Sequence, residues 1–261
     1  MFKKYWKFFV IFWSVVLVGI IGVFVFFWLI SAGKLGFMPT FEELENPNNR
    51  FASEVYFADG PIMNRYFEKE NRKYIEYREI PQSVIDALIA TEDVRFYDHS
   101  GVDVRGLFRV AKGLLTANTS AGGGSTISQQ LAKMLFPRES DLNVFELAIR
   151  KFREWVIAVR LEKSYTKEEI LTMYLNKYDF LNLAVGISSA ADIYFQVPLD
   201  SLKVEQAAML IGMAKNSSYY NPVRRPELTL NRRNVVLSQM YKYDKITREE
   251  CDSLKKLPLG L

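Results

Sequence analysis

Between Phe8 and Ile30 the chain carries no charge, and Ser14 is the only hydroxyl in that stretch. The run is 23 residues long. As a helix it would measure about 34 Å at roughly 1.5 Å per residue, enough to cross a hydrocarbon core of about 30 Å. A cleaved leader has an apolar region of only about 7–15 residues, so the length favours an uncleaved anchor. Ser31, Ala32 and Gly33 mark where cleavage would otherwise fall. Lys3, Lys4 and Lys7 precede the run with no acid among them. Basic flanks stay in the cytoplasm, which makes residues 1–7 a cytoplasmic tail and 8–30 a single pass through the inner membrane. Everything after Ser31 is then extracytoplasmic.

Removing those three lysines from 34 basic residues leaves 31, against 30 acids. The exported part is nearly neutral, so charge gives no reason to expect a nucleic-acid partner. Cys251 is the only cysteine, which excludes an intramolecular disulfide and leaves packing to hold the fold. A chain of 261 residues, 49% of them hydrophobic, suffices for one sizeable core and an appendage.

Residues 31–74 read as a linker: "GKLGFMPTFEELENPNNR" is rich in Gly, Pro and Asn, and "SEVYFADGPIMNRYF" alternates around Asp59-Gly60 like a β-hairpin. From Pro81 the periodicity is helical almost to the end, giving a mainly α domain over 75–255. Thr166-Lys-Glu-Glu169 and Thr247-Arg-Glu-Glu250 have the form of capping boxes, and Asp200-Ser201 is placed to cap the helix through "VEQAAMLIGMA".

Ile85, Leu88, Ile89 and Glu92 share one helical face, so Glu92 continues an apolar stripe while Asp93 lies about 100° round. A carboxylate there is partly desolvated, which makes it a better proton acceptor near neutral pH. The competing reading is a helix that simply ends with both acids solvated. His99 has no second histidine with which to share a metal, and a structural hydrogen-bonding role suits it better.

"VDVRGLFRVAKGLLTANTS" sets Arg105, Arg109 and Lys112 in one cationic stripe beside apolar rows of Val104, Phe108, Ala111, Leu115 and of Leu107, Val110, Leu114. It fits a helix lying in a membrane interface or one packed on the core; the anchor favours the first. In "AGGGSTISQQLAKMLF", Ser125 or Thr126 can cap a helix starting near Ile127, and Gln130 and Lys133 share a face. A helix start with free amides, hydroxyls and a lysine suits a phosphate. In "AIRKFREWVIAVRLEK", Phe145, Ile149, Phe152, Val156 and Val159 form one apolar row, and Leu147, Lys151, Glu154, Ala158 and Leu161 another. A helix apolar on two sides is largely buried, and Arg150 or Lys151 could hold Glu154 ionised; a structural ion pair would look the same. Two acids in separate helices suggest chemistry at a sugar carbon, with a phosphate leaving group and a lipid-linked substrate.

"EDVRFYDHSG", "GGSTISQQLAK", "RKFRE", "KEEILTMYLN" and "VEQAAMLIGMAKNSSYYNP" occur in that order and resemble the signature blocks of the peptidoglycan glycosyltransferases over roughly residues 35–255. That family comprises monofunctional transglycosylases and the first domain of bifunctional class A penicillin-binding proteins. The resemblance implies a lysozyme-like helical lobe with a smaller membrane-associated jaw, here about residues 104–122. It implies a reaction that polymerises lipid II, with the lipid bilayer and other cell-wall synthesis proteins as further partners. Glu92 would be the general base, and Glu154, Lys133 and Arg153 would surround the sugar–pyrophosphate. A divalent cation (Mg2+ or Mn2+) there is optional. Arg109, Ser125, Gln130 and Arg138 would be substrate contacts, while Asp93, Phe96, His99 and Asn221 would be structural. After "YLN" many members have a Tyr- and Gly-rich turn, replaced here by "KYDFLNLAVG". Residues 256–261 fall where bifunctional relatives begin a linker to a transpeptidase domain, so a fragment and a monofunctional enzyme both stay open. A lysozyme-like peptidoglycan-cleaving enzyme and a non-catalytic anchored scaffold are the rival functions.

Overall fold

The computed structural model describes residues 2–40, 53–56, 62–66, 71–116, 123–135 and 142–261. The apolar run is one helix, α1 (Phe2–Ser31), long and apolar enough to cross a membrane. The expected hairpin follows as antiparallel β1 (Ser53–Tyr56) and β2 (Ile62–Tyr66), while its Asp59-Gly60 turn lies outside the described residues. β3 (Asn71–Arg72) pairs in parallel with β4 (Ala184–Val185). The helical lobe comprises α2 (Gln82–Glu92), α3 (Val104–Leu115), α4 (Ile127–Leu135), α5 (Val144–Ser164) and α6 (Lys167–Lys177). It continues with α7 (Ile187–Phe195), α8 (Val204–Met213), α9 (Pro226–Lys242) and α10 (Arg248–Leu254).

Local chemistry sets most of these boundaries. Thr166 and Thr247 accept from the amides of Glu169 and Glu250, whose carboxylates return to the threonine amides at 2.7 and 2.8 Å. Asn143 and Glu146 form a third such box at the start of α5. The expected cap at Asp200-Ser201 is not the one used: those residues lie in a short 3-10 turn, and Gln206 accepts from the Lys203 amide at 3.0 Å to open α8. From Ala207 to Met213 every residue of α8 is buried, and it packs against α2 and α9 at the centre of the lobe. An all-apolar helix needs such all-round cover.

The segment after α1 is docked rather than a free tether. Phe26 and Phe27 meet Phe152 of α5 edge-on, at 5.3 and 5.7 Å between ring centres. Arg160 donates to the Ser31 carbonyl and hydroxyl, both at 2.8 Å, and to the Pro39 carbonyl at 3.0 Å. At the other end Arg233, fully buried, donates to the carbonyls of Lys255, Leu257 and Pro258 and fixes the chain beyond α10.

This docking corrects the reading of α5. Its row Phe145, Ile149, Phe152, Val156 and Val159 is not core: Phe152 packs on α1 and Phe145 is 71% exposed. The buried side carries Arg153, Glu154, Ile157, Ala158 and Leu161. Periodicity finds an apolar face but cannot say whether protein or lipid covers it. On α3, Val104 and Phe108 are likewise exposed, beside Arg105, Arg109 and Lys112. Asp103 seats that helix by accepting from the Gly106 amide at 2.9 Å and pairing with Arg95. Burial opposes its charge, but the hydrogen bonds from Arg95 and Gly106 outweigh that and hold its carboxyl below the usual range.

In "KYDFLNLAVG" three consecutive non-glycine residues, Leu181, Asn182 and Leu183, have φ of 63°, 51° and 68°. Hydrogen bonds hold the turn, from the Leu181 amide to Asp179 at 2.7 Å and from the Tyr194 hydroxyl to the Phe180 carbonyl at 2.7 Å. Gly101 has a sharper requirement. Its φ is +92°, and a Cβ there would lie 2.7 Å from the Ala158 backbone of α5. Gly101→Ala should therefore lower stability by more than about 1 kcal/mol, read as a clear drop in melting temperature.

Candidate active site

α2 ends at Glu92, and Ile85, Leu88 and Ile89 of its stripe are all buried. Glu92 continues the stripe as expected, with its side chain 14% exposed. Gln130 Nε2 donates to its Oε2 at 2.9 Å, and Arg232 Nη2 faces Oε1 at 3.4 Å. The Gln130 carbonyl oxygen in turn accepts from the buried Tyr174 hydroxyl at 3.0 Å. Burial, reinforced by the charge of Glu92, pushes the Tyr174 hydroxyl well above its ordinary value, so it stays protonated.

Asp93 is the residue at which α2 stops, with φ −156° and ψ 74°. Leaving the helix turns its carboxylate inward, so the 100° offset expected from helical geometry no longer applies. Its Oδ2 accepts from the Ile127 amide at 3.0 Å and from His99 Nε2 at 3.0 Å. His99 Nδ1 accepts from the Gly101 amide at 3.2 Å, which places the imidazole proton on Nε2, toward Asp93. Thr126 accepts from the Gln129 amide at 3.2 Å. Two of the leading amides of α4 are thus already taken by side chains. The expectation of a fully free helix start is corrected accordingly, since these two amides are not available to a phosphate. Phe96 lies buried under the Lys167 ammonium at 4.3 Å. Asn221, also buried, accepts from the amides of Val223 and Arg224 in the turn before α9.

α4 carries both halves of the site. Gln130 reaches Glu92, and Lys133, three residues on, stands 3.7 Å from Glu154 of α5. Lys151 is closer to Glu154, at 3.0 Å, and also donates to the Ser125 hydroxyl at 2.9 Å and to Gln129 at 3.3 Å. Glu154 is buried between these ammonium groups, with the i−3 partner Lys151 supplying the nearer one. Arg153 is buried, and its guanidinium lies against Gly36, where a Cβ would come within 2.4 Å. Arg138 lies outside the described residues.

Glu92 sits in a cleft of about 440 Å³ that Arg109, Ser125, Gln130, Lys215, Arg232 and Lys242 also line. That volume is in the range of small-molecule sites. Its lining sets four cations against one carboxylate, so an anionic occupant fits. Sequence reading missed Arg232, Lys215 and Lys242. The pair Arg232-Arg233 in α9 is visible in the sequence, but nothing there links it to an acid 140 residues away. Among the described residues no group of three or more His, Cys, Asp or Glu gathers to hold a metal ion. Glu154 faces two lysines.

Residues 59–241 match the family model described as Transglycosylase. The chain belongs to that family. Over 218 residues it is 37% identical to penicillin-binding protein 1A of Escherichia coli (strain K12), covering 84% of this chain and 25% of that protein. The same-named protein of Pseudomonas aeruginosa is 35% identical over 223 residues, covering 85% and 26%. The chain thus spans about a quarter of the length of these curated relatives. A crystal structure of penicillin-binding protein 1A from Haemophilus influenzae covers 81% of this chain and 21% of its own at 23% identity, with a TM-score of 0.46, too loose to argue from.

In this transglycosylase-family site Asp93 joins α2, the His99 turn and α4. Asp93→Ala would leave a buried amide and a buried imidazole N–H without an acceptor, at about 1–3 kcal/mol each. We expect a melting temperature well below wild type, with Asp93→Asn losing less.

Proposed function

We propose that the chain polymerises lipid II into β-1,4-linked glycan strands with release of undecaprenyl pyrophosphate. The observation that carries this reading is the sheltered Glu92 carboxylate, held by Gln130 and Arg232 on the wall of a cation-lined cleft. A carboxylate in that setting can take a proton at the oxygen with the looser donor, Arg232, while Gln130 holds the other. The proton would come from the 4-hydroxyl of the acceptor N-acetylglucosamine. As it moves to Glu92, the hydroxyl oxygen attacks C1 of the donor N-acetylmuramic acid, the bond from C1 to the pyrophosphate oxygen breaks, and α inverts to β. Such a base typically contributes about 10²–10⁴ in rate.

The departing pyrophosphate gains negative charge, and Lys133 and Lys151 stand where charge of that sign is stabilised. Glu154 holds both ammonium groups in place and leaves the cluster with net positive charge. Any divalent ion there would be held chiefly by the substrate's phosphates, which is the usual habit of Mg2+, and would add positive charge facing the leaving group. Arg109, Lys215, Arg232 and Lys242 suit the pyrophosphate of a second, acceptor lipid II.

A lipid-linked substrate requires a site at the bilayer, and the exposed Val104, Phe108, Val144 and Phe145 together with α1 supply an apolar surface for one. Lys3, Lys4 and Lys7 orient α1 with the lobe outside the cytoplasmic membrane. The test is polymerisation of lipid II by the wild type and Glu92→Gln side by side. We expect polymer from the first and a loss of at least about a hundredfold in the second, with the fold retained. Soluble fragments released from mature peptidoglycan, with no polymer from lipid II, would overturn the reading in favour of a cleaving enzyme.

A further inference from the structure

Tyr174 lies beneath the site and touches no part of the cleft surface, yet its hydroxyl is one bond removed from the proposed base. It is buried on α6, and its hydroxyl donates to Oε1 of Gln130 at 3.0 Å. Gln130 Nε2 is committed to Oε2 of Glu92 at 2.9 Å. Oε1 of Glu92 has the looser partner, Arg232 at 3.4 Å. An amide can sit either way round, and turning it would swap a donor for an acceptor at Glu92. We propose that the Tyr174 hydroxyl is a positioning group that locks the Gln130 amide and so leaves Oε1 of Glu92 as the oxygen that takes the proton. The inference rests on Glu92 being the general base.

The lock matters most while the proton is in transit. An ionised Glu92 is acceptor-only and itself demands the amide N–H. Once Oε1 is protonated that demand weakens, and the tyrosine becomes the group that keeps the amide from turning. Burial keeps Tyr174 protonated, so it can donate and cannot become a competing anion. The groups facing Glu92 from its packed neighbours are Gln130 on α4, Tyr174 on α6, Arg232 and Lys242 on α9, Lys215 after α8 and Arg109 on α3. Of these, Tyr174 and Gln130 act on Oε2 and leave no mark on the cleft's charge.

The experiment is a double-mutant cycle of Tyr174→Phe and Gln130→Ala in the membrane-anchored chain, with lipid II polymerisation measured across pH. Tyr174→Phe should lower kcat about tenfold, the worth of one buried hydrogen bond, and leave KM within about twofold. The acid limb of the kcat profile should move to higher pH, because a carboxylate with a poorly held donor is protonated more readily. In the Gln130→Ala background the tyrosine substitution should add nothing. Should Tyr174→Phe not fold, fluorinated tyrosine at position 174, which keeps the ring and changes only the hydroxyl's acidity, should shift the limb with Gln130 present and not in Gln130→Ala. A tyrosine effect undiminished without Gln130, or an unmoved acid limb, would reduce Tyr174 to packing and overturn the inference while leaving Glu92 as base. Wild-type polymerisation by Glu92→Gln would remove both.

Discussion

One buried carboxylate holds the two halves of the site in register. Asp93 ends α2 and, with the same side chain, takes the first amide of α4 and the imidazole of His99. Hydrogen bonds to a charged acceptor contribute about 1.5–3 kcal/mol each, which offsets the cost of burying Asp93 out of water. Its neighbour Glu92 is thereby left at a fixed height opposite Gln130, one turn into α4. Lys133 follows on the next turn and meets Glu154. A single nine-residue helix, α4, therefore sets the spacing between Glu92 on one side and the Glu154–lysine cluster on the other. Its register depends on the Asp93 clamp.

The second constraint comes from the membrane. α5 is shared between two environments: Glu154 and Lys151 look toward α4 and Ser125, while Phe152 packs on α1. Arg160 ties the same helix to the Ser31 and Pro39 carbonyls just past the span. With α1 spanning the bilayer as proposed, the height of Glu154 above it would be set by the length of α1 and by its docking on α5. For a substrate whose pyrophosphate sits at the lipid surface, that coupling decides whether cation and phosphate meet.

How far the sequence discloses this follows from what periodicity can carry. The anchor, the hairpin, two capping boxes, the stripe ending in Glu92 and the start of α4 at Ile127 all follow from local rules, and each has its place in the structure. Glu92, Gln130, Lys133 and Glu154 are likewise picked out one by one from spacing and resemblance, but not which of them touch. What stayed hidden depends on contacts between distant segments. Arg232 reaches Glu92 across 140 positions, Arg153 turns to Gly36, and the amides of α4 are spent on Asp93 and Thr126. The apolar row of α5 shows the same limit, since a side chain that faces lipid and one that faces core have the same composition.

The most direct measurement is the structure of the membrane-anchored chain with lipid II bound on both the donor and the acceptor side. The account predicts the 4-hydroxyl oxygen of its N-acetylglucosamine within about 2.6–3.2 Å of the Glu92 carboxylate, with the donor pyrophosphate beside Lys133 and Lys151. A 4-hydroxyl turned toward Glu154, or a sugar held away from Glu92 altogether, would contradict it.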